Sequence, residues 1–284
     1  MEAGKYSYMA EGSAYLRAVH MAMDDEPKIL DDPLAVKLLE PGFADRMEAD
    51  RERLVKTGLL KARSLLVMRS RFAEDELAAA IENGVAQYVI LGAGLDTSPY
   101  RSGHPAQKIE TFEVDHPDTQ QWKLEKLRAA EIRIRENLHH VAVDFETDSL
   151  ANRLAASGFD SNEPAYFSWL GVTYYLERES VLDIFRFVAR LPSPSQIVFD
   201  FVVSEAELGR TETEAMKVIT NLVEKYGEPW LSRFGPQELT RTLEEIGFSK
   251  IFHLSEKLAA RRYFDDRADG LHIDISTQMI SATV

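Results

Sequence analysis

From Tyr88 onward the chain alternates short apolar runs with stretches of helical spacing. Few folds accept that pattern other than a largely parallel sheet flanked by helices. Strands are expected at Tyr88 to Leu91, Lys108 to Val114, His140 to Val143, Ala165 to Leu170, Gln196 to Val203 and Lys250 to Leu254. Helices are expected over Pro117 to Ala130, Thr147 to Ser157, Arg178 to Arg190 and Pro236 to Ile246. The last run, LHIDISTQMI, alternates apolar and polar residues as a half-exposed edge strand would, so a seven-stranded sheet ending in one antiparallel member is expected.

The segments around this alternation are additions to it. Residues 13 to 40 read as two short helices, with Asp32 placed to cap the second and Pro33 at its first position. Leu59, Leu60, Leu65, Leu66, Phe72, Leu77 and Ile81 recur at helical spacing, and Asn83-Gly84 supplies a stop. Between Ser204 and Gly235 lies a further segment, helical over Thr211 to Tyr226, for which a lid over a site is one use. With no internal repeat or Pro/Gly/Ser linker, one domain is expected. Its parts are an N-terminal helical cap (1–60), a ligand-binding core (61–203), a lid insertion (204–235) and the C-terminal part of the sheet (236–284).

Composition narrows the function. Lys and Arg number 33 against 47 Asp and Glu, a formal net charge of −14, which repels phosphate backbones and argues against a nucleic-acid partner. The chain has no Cys, which excludes disulfides, thiolate catalysis and Cys-type zinc sites and fits a cytoplasmic location. No stretch of about 18 uninterrupted apolar residues and no signal-peptide pattern occurs, so no membrane partner is expected.

Three motifs could carry chemistry. Gly92 and Gly94 in YVILGAGLDTSPYR directly follow a buried strand, where a sharp turn brings backbone close to a ligand. The third small residue of the dinucleotide fingerprint is replaced by Thr97, and Asp96 would repel a pyrophosphate. A glycine turn merely joining strand to helix is the competing reading. Asp115, in FEVDHP, stands about 20 residues beyond the glycines, a spacing that suits a carboxylate gripping both hydroxyls of a ribose. A helix cap is its plain alternative. Glu113 is expected on the opposite face of the strand and so is the poorer candidate. Asp144 ends the next strand in VAVDFETD, where it and the Phe145 backbone could meet an adenine, or where Asp144 could simply cap its loop. Together these features suit a phosphate-free, cationic nucleoside such as S-adenosylmethionine. Its amino-acid carboxylate would need a cation, and Arg69 or Arg71 could reach it from the glycine side.

On ILGAGLDTSPYR, FEVDHP and VAVDF, with ILDDPLA and RSRFAED upstream and YGEPW and YFDDRADGL downstream, the chain resembles the leucine carboxyl methyltransferase-like family, and within it a bacterial branch of O-methyltransferases. The resemblance runs from about Ser13 to Leu271. It implies an α/β fold with a Rossmann-like, seven-stranded methyltransferase sheet and S-adenosyl-L-methionine as cofactor. By matching positions it implies Arg69 on the methionine carboxylate, Gly92 as the turn beneath the methionyl part, Asp115 on the ribose, and Asp144 with Phe145 on the adenine. Arg17 is implied as a second basic contact. The chain departs from the family at Leu170, where relatives carry a Glu, so a polar contact is absent or comes from Trp169 or Ser168. Trp169, Tyr174 and Tyr175 also suit a plain aromatic core.

The implied reaction is attack of an oxygen of a small-molecule acceptor on the donor methyl. A carboxylate acceptor needs little acid–base help, whereas a hydroxyl would call on a base, for which His20, His104 and His116 are candidates. No catalytic residue and no metal ligand is assigned; Asp265-Asp266 suits a solvated loop. A nicotinamide-dependent oxidoreductase and a catalytically degenerate binding protein are the rival readings.

Overall fold

The protein is described as a computed structural model covering residues 7–39, 42, 43, 47, 49, 59–225, 227–265, 267–273 and 277–284. Tyr226 and Asp266 lie outside these residues, as do the side chains of Leu59, Leu60 and Leu222.

Seven strands among the described residues form one sheet in the order β3-β2-β1-β4-β5-β7-β6. They are β1 (Gln87–Leu91), β2 (Glu110–Asp115), β3 (Leu138–Ala142), β4 (Ala165–Trp169), β5 (Gln196–Val202), β6 (Lys250–Leu254) and β7 (Thr277–Thr283). The first five are parallel, and β7 runs antiparallel to both β5 and β6. The chain reverses its direction of winding between β1 and β4, so the crevice beyond the carboxyl ends of these two strands is the place where such sheets bind ligands.

Buried strands are apolar on both faces because helices cover both. Val89, Leu91, Phe167, Trp169, Phe199 and Ile280 pack on one side against α5 (Leu150–Ala156), α6 (Arg178–Val188) and α8 (Pro236–Ile246). Tyr88, Ile90, Tyr166, Val198 and Met279 pack on the other against Val67, Met68, Phe72 and Leu77 of the long helix α3 (Leu59–Glu82). The helix α4 (Pro117–Ala129) contributes Leu127 to a third cluster, which includes Ala14 of α1 (Tyr8–Met23) and Leu38 of α2 (Pro33–Leu38). Asp32 caps α2 as expected, its side chain accepting from the Ala35 N–H.

The C-terminal strand corrects the sequence reading. It begins at Thr277 rather than Leu271 and is interior, inserted between β5 and β6, which leaves β6 at the edge. Met279, Ile280, Ser281 and Ala282 are all buried, and Thr277 and Ser281 are short polar residues that bury without a large cost.

The segment between β5 and α8 leaves and rejoins the sheet at one point. The Phe234 N–H donates to the Val202 carbonyl at 3.1 Å and the Ser204 N–H to the Phe234 carbonyl at 3.0 Å. Its helix α7 (Arg210–Lys225) therefore lies beyond the carboxyl end of β5, on the side of the crevice.

An interior β7 makes a specific forecast. Ile280→Ala should cost about 2 to 5 kcal/mol in urea unfolding, because the cavity opens in a closed core. Ile134→Ala, at a side chain 41% exposed, should stay within about 0.5 kcal/mol. Similar small losses at both positions would mean that β7 is a surface strand.

Candidate functional site

The crevice is built around the turn that follows β1. Gly92 and Gly94 adopt φ values of +66° and +45°, a region that residues with a Cβ rarely occupy. The N–H groups of Gly92 and Ala93 both donate to the Val114 carbonyl, at 2.8 and 3.0 Å, which binds the turn to the end of β2. A Cβ at Gly92 would stand 2.3 Å from Cγ2 of Val172, and one at Gly94 would stand 3.1 Å from Cβ of Ala10 on α1. Loop, β4 connection and N-terminal helix thus meet at these glycines.

Asp115 stands half-buried at the carboxyl end of β2. One carboxylate oxygen accepts from the Gly94 N–H at 2.5 Å and the other from the His116 N–H at 2.7 Å. Burial pushes the group up to about 6, and the two amides only partly offset that. Each oxygen keeps a further lone pair, so two more donors on one ligand could be accepted.

Asp144 and Phe145 follow β3 at the same sheet end, where the Val143 N–H donates to the Asp115 carbonyl at 2.8 Å. Asp144 accepts from the Glu146 N–H at 3.0 Å and its own N–H donates to Asp148, so it shapes its loop. Phe145 rests partly buried against the main core.

Arg69 and Arg71 separate cleanly. Arg71 is on the outer face of α3, paired with Asp75 at 2.8 Å. Arg69 is buried, and its Nη1 donates to Asp200 at 3.1 Å and approaches the Tyr174 hydroxyl at 3.5 Å. Burial alone would lower its pKa, yet the Asp200 carboxylate outweighs this and holds the guanidinium above its ordinary value. A Cβ at Gly171 would stand 2.7 Å from Nη2 of Arg69, which puts the guanidinium against the connection leaving β4, next to Val172 and hence to Gly92.

Arg17 serves to latch the N-terminal helix. Its Nε donates to Asp32 at 2.9 Å and its Nη2 to the Leu95 carbonyl at 2.6 Å, while Asp32 accepts from the Thr97 hydroxyl at 2.6 Å. The group expected as a second ligand contact is thus engaged with the loop itself. Thr97, standing where a phosphate-binding turn has its last glycine, is committed to the same latch.

Glu113 needs a correction. Two residues apart on one strand share a face, so Glu113 lies on the side of Asp115 rather than opposite it. It is fully buried and accepts from Lys123 at 2.6 Å and from the Tyr100 hydroxyl at 2.8 Å. Burial would raise its pKa, but the Lys123 ammonium and then His140 hold it below the usual carboxylate range.

The Leu170 side chain packs with the α3 cluster. Ser168 is hydrogen-bonded to the Tyr88 hydroxyl at 2.9 Å, and Trp169 is core, edge-on to Phe185 with ring centroids 5.6 Å apart. His20 is buried against Asp24 at 2.7 Å, and His104 caps its own turn through Ala106. His116 caps α4 through the Asp118 N–H and stands beside Asp115. Asp200, which sequence reasoning missed, was signalled by a carboxylate inside the apolar run IVFDFV.

Both added segments meet above the crevice. Glu228, after α7, accepts from the Ser7 hydroxyl at 2.9 Å and from the Met9 N–H at 3.3 Å, so it caps α1. Trp230 meets the Tyr174 ring edge-on, centroids 5.3 Å apart.

A Rossmann-like sheet with this crevice is the architecture of a methyltransferase, and the comparisons agree. The family model described as Leucine carboxyl methyltransferase matches residues 10–189. The Bacillus subtilis (strain 168) protein YktD, whose name places it among the S-adenosyl-L-methionine-dependent methyltransferases, is 32% identical over 280 residues, 91% of each chain. The chain therefore belongs to the leucine carboxyl methyltransferase family. The crystal structure of a protein from Thermobifida fusca YX, named as a methyltransferase, superposes with a TM-score of 0.58 at 16% identity, covering 99% of this chain and 96% of that one. A duf574 family protein from Streptomyces avermitilis gives 0.55 at 14% identity, covering 98% and 97%. These two show the shared fold. The oxidoreductase alternative finds no support among these relatives.

The raised Asp115 predicts a pH effect. Its ordinary value is 3.8, so between pH 4 and 6 the unfolded chain gives up a proton that the folded protein still holds. The associated stability is present below pH 4, falls as pH rises through 6, and is absent above. The rise from 3.8 to about 6 corresponds to about 2 to 3 kcal/mol. Asp115→Asn, which keeps an acceptor for Gly94, should therefore gain about that much over the parent protein on going from pH 4 to pH 7 in urea unfolding. An identical difference at both pH values would contradict it.

Proposed function

We propose that this protein is an S-adenosylmethionine-dependent O-methyltransferase whose acceptor is a small molecule presenting a carboxylate or hydroxyl oxygen. The observation that carries the donor assignment is the juxtaposition at one switch point of Asp115, Arg69 and the positive-φ glycine turn. Asp115 offers acceptors for a ribose diol, Arg69 a cation for an α-carboxylate, and the Gly92–Gly94 backbone a surface without side chains. Asp144 and Phe145, at the next strand end, would border the adenine.

When bound, S-adenosylmethionine supplies a methyl carbon activated by its sulfonium for in-line displacement by an acceptor oxygen. The chain's own contribution is alignment of donor and acceptor and exclusion of water. His116 is the imidazole nearest to Asp115 in sequence, but its Nδ1 accepts from the Asp118 N–H. A carboxylate acceptor, already ionised, needs no base, and that favours an acid over a phenol.

The acceptor side would be walled by the lid insertion and by α1. Trp230, Met216 and Tyr175 surround Tyr174 there, an apolar group of side chains that suits an acceptor with an apolar body. The Glu228 cap on α1 would hold the cover closed.

Three measurements test this reading. Labelled methyl transfer to a panel of small carboxylic acids and phenols should favour carboxylic acids; donor binding with no turnover on any acceptor would point instead to a binding protein that has kept the fold. Asp115→Ala should weaken S-adenosylmethionine binding by about tenfold to a hundredfold in titration calorimetry, the loss expected for hydrogen bonds to a charged group. Unchanged affinity would remove Asp115 from the site. Trp230→Ala should lower acceptor turnover while leaving donor affinity within about twofold. If it lowers only the melting temperature, the segment is packing and not a cover.

A further inference from the structure

Asp200 is a carboxylate with no exposed surface in the middle of β5. Its Oδ1 accepts from the Gly171 N–H at 2.6 Å and its Oδ2 from Nη1 of Arg69 at 3.1 Å. Its backbone carbonyl accepts from the Thr173 hydroxyl at 2.7 Å. A buried carboxylate is tolerable only when paired and hydrogen-bonded, and here one side chain fixes both the guanidinium and the peptide on which it rests. Gly171 has φ +75°, and a Cβ there would stand within 2.9 Å of both Arg69 nitrogens Nη1 and Nη2. The next residue, Val172, covers Gly92. Asp200, Arg69, Gly171, Val172 and Gly92 thus form a continuous series of contacts from β5 to the turn.

We propose that Asp200 is a positioning and charge-balancing residue of the donor site, which aims Arg69 and neutralises it so that a cationic sulfonium is admitted beside it. The inference rests on the donor assignment above. S-Adenosylmethionine carries a sulfonium, an ammonium and a carboxylate, a net charge of +1; the product, S-adenosylhomocysteine, has lost the sulfonium charge and is neutral. A lone guanidinium in a buried site attracts the carboxylate of both ligands alike but repels the sulfonium of the donor only. Paired with Asp200, the guanidinium keeps its hydrogen-bonding edge while its long-range field is cancelled. A purely structural Asp200 would affect the two ligands equally, so their ratio separates the roles.

The test is titration calorimetry of the full chain with S-adenosylmethionine and with S-adenosylhomocysteine, for the parent protein, Asp200→Asn and Arg69→Met, with circular dichroism melts to identify the folded variants. Asn at 200 can still accept from Gly171, so Asp200→Asn should lose affinity for the donor by about tenfold more than for the product, the effect of about 1.4 kcal/mol. Arg69→Met leaves the Asp200 charge behind and should shift the ratio the other way, weakening product more than donor. Either variant, if folded, decides the matter: a donor-to-product ratio equal to the parent's in a folded variant overturns the proposal. A parent protein that binds neither ligand removes the donor assignment itself, whereas a parent that binds both and variants with unchanged ratios remove only the role of Asp200.

Discussion

The stitch between the turn after β1 and the end of β2 is the contact on which the rest of the crevice depends. Two consecutive amides of the turn share the Val114 carbonyl, and the third, Gly94, reaches the Asp115 carboxylate. The chain makes these three bonds in succession while turning through left-handed backbone at Gly92 and Gly94, which glycine adopts without steric cost. Once the turn is set, Val172 can close on Gly92 and α1 on Gly94. Arg17 and Asp32 then hold α1 and α2 to the loop through Leu95 and Thr97. The N-terminal helices are thus tied to the crevice rather than merely appended to the sheet.

The carboxylates around the crevice differ in how they are compensated. Glu113 has Lys123, and Asp200 has Arg69. Asp115 accepts only from backbone amides in the described hydrogen bonds, and burial drives it up in pKa where Lys123 holds Glu113 down. Groups held in an unfavourable state cluster where a ligand will complete them, since a site optimised for its own stability would have provided a cation. A ribose diol would donate to a carboxylate that has acceptors to spare.

Much of the fold was legible in the sequence, because the parallel sheet requires short apolar runs separated by helices. β6 and α8 were delimited to the residue, and the Asp32 cap was read from Asp-Pro alone. What the sequence could not convey was pairing: nothing in the run ending at Ile280 says that β7 inserts between β5 and β6, since that is decided by which strand has a free edge. The site divided in the same way. The glycines and Asp115 stand out as candidates by position after a strand, whereas Asp200 sits about 130 residues from Arg69 and joins it only when β5 lies beside β4. Arg17 is ambiguous in sequence for the same reason. A buried Arg near a ligand turn can hold either the ligand or the loop, and only its partners distinguish the two.

In the proposed function the crevice between the ends of β1 and β4 holds the methyl donor through Asp115 and Arg69. A crystal structure of the protein grown with S-adenosylhomocysteine tests it most directly. Both ribose hydroxyls are expected within hydrogen-bonding distance of the Asp115 carboxylate, the homocysteine carboxylate on Arg69, and the thioether over the Gly92–Gly94 backbone. A ligand bound elsewhere on the sheet, or one in the crevice with its ribose turned away from Asp115, would contradict it.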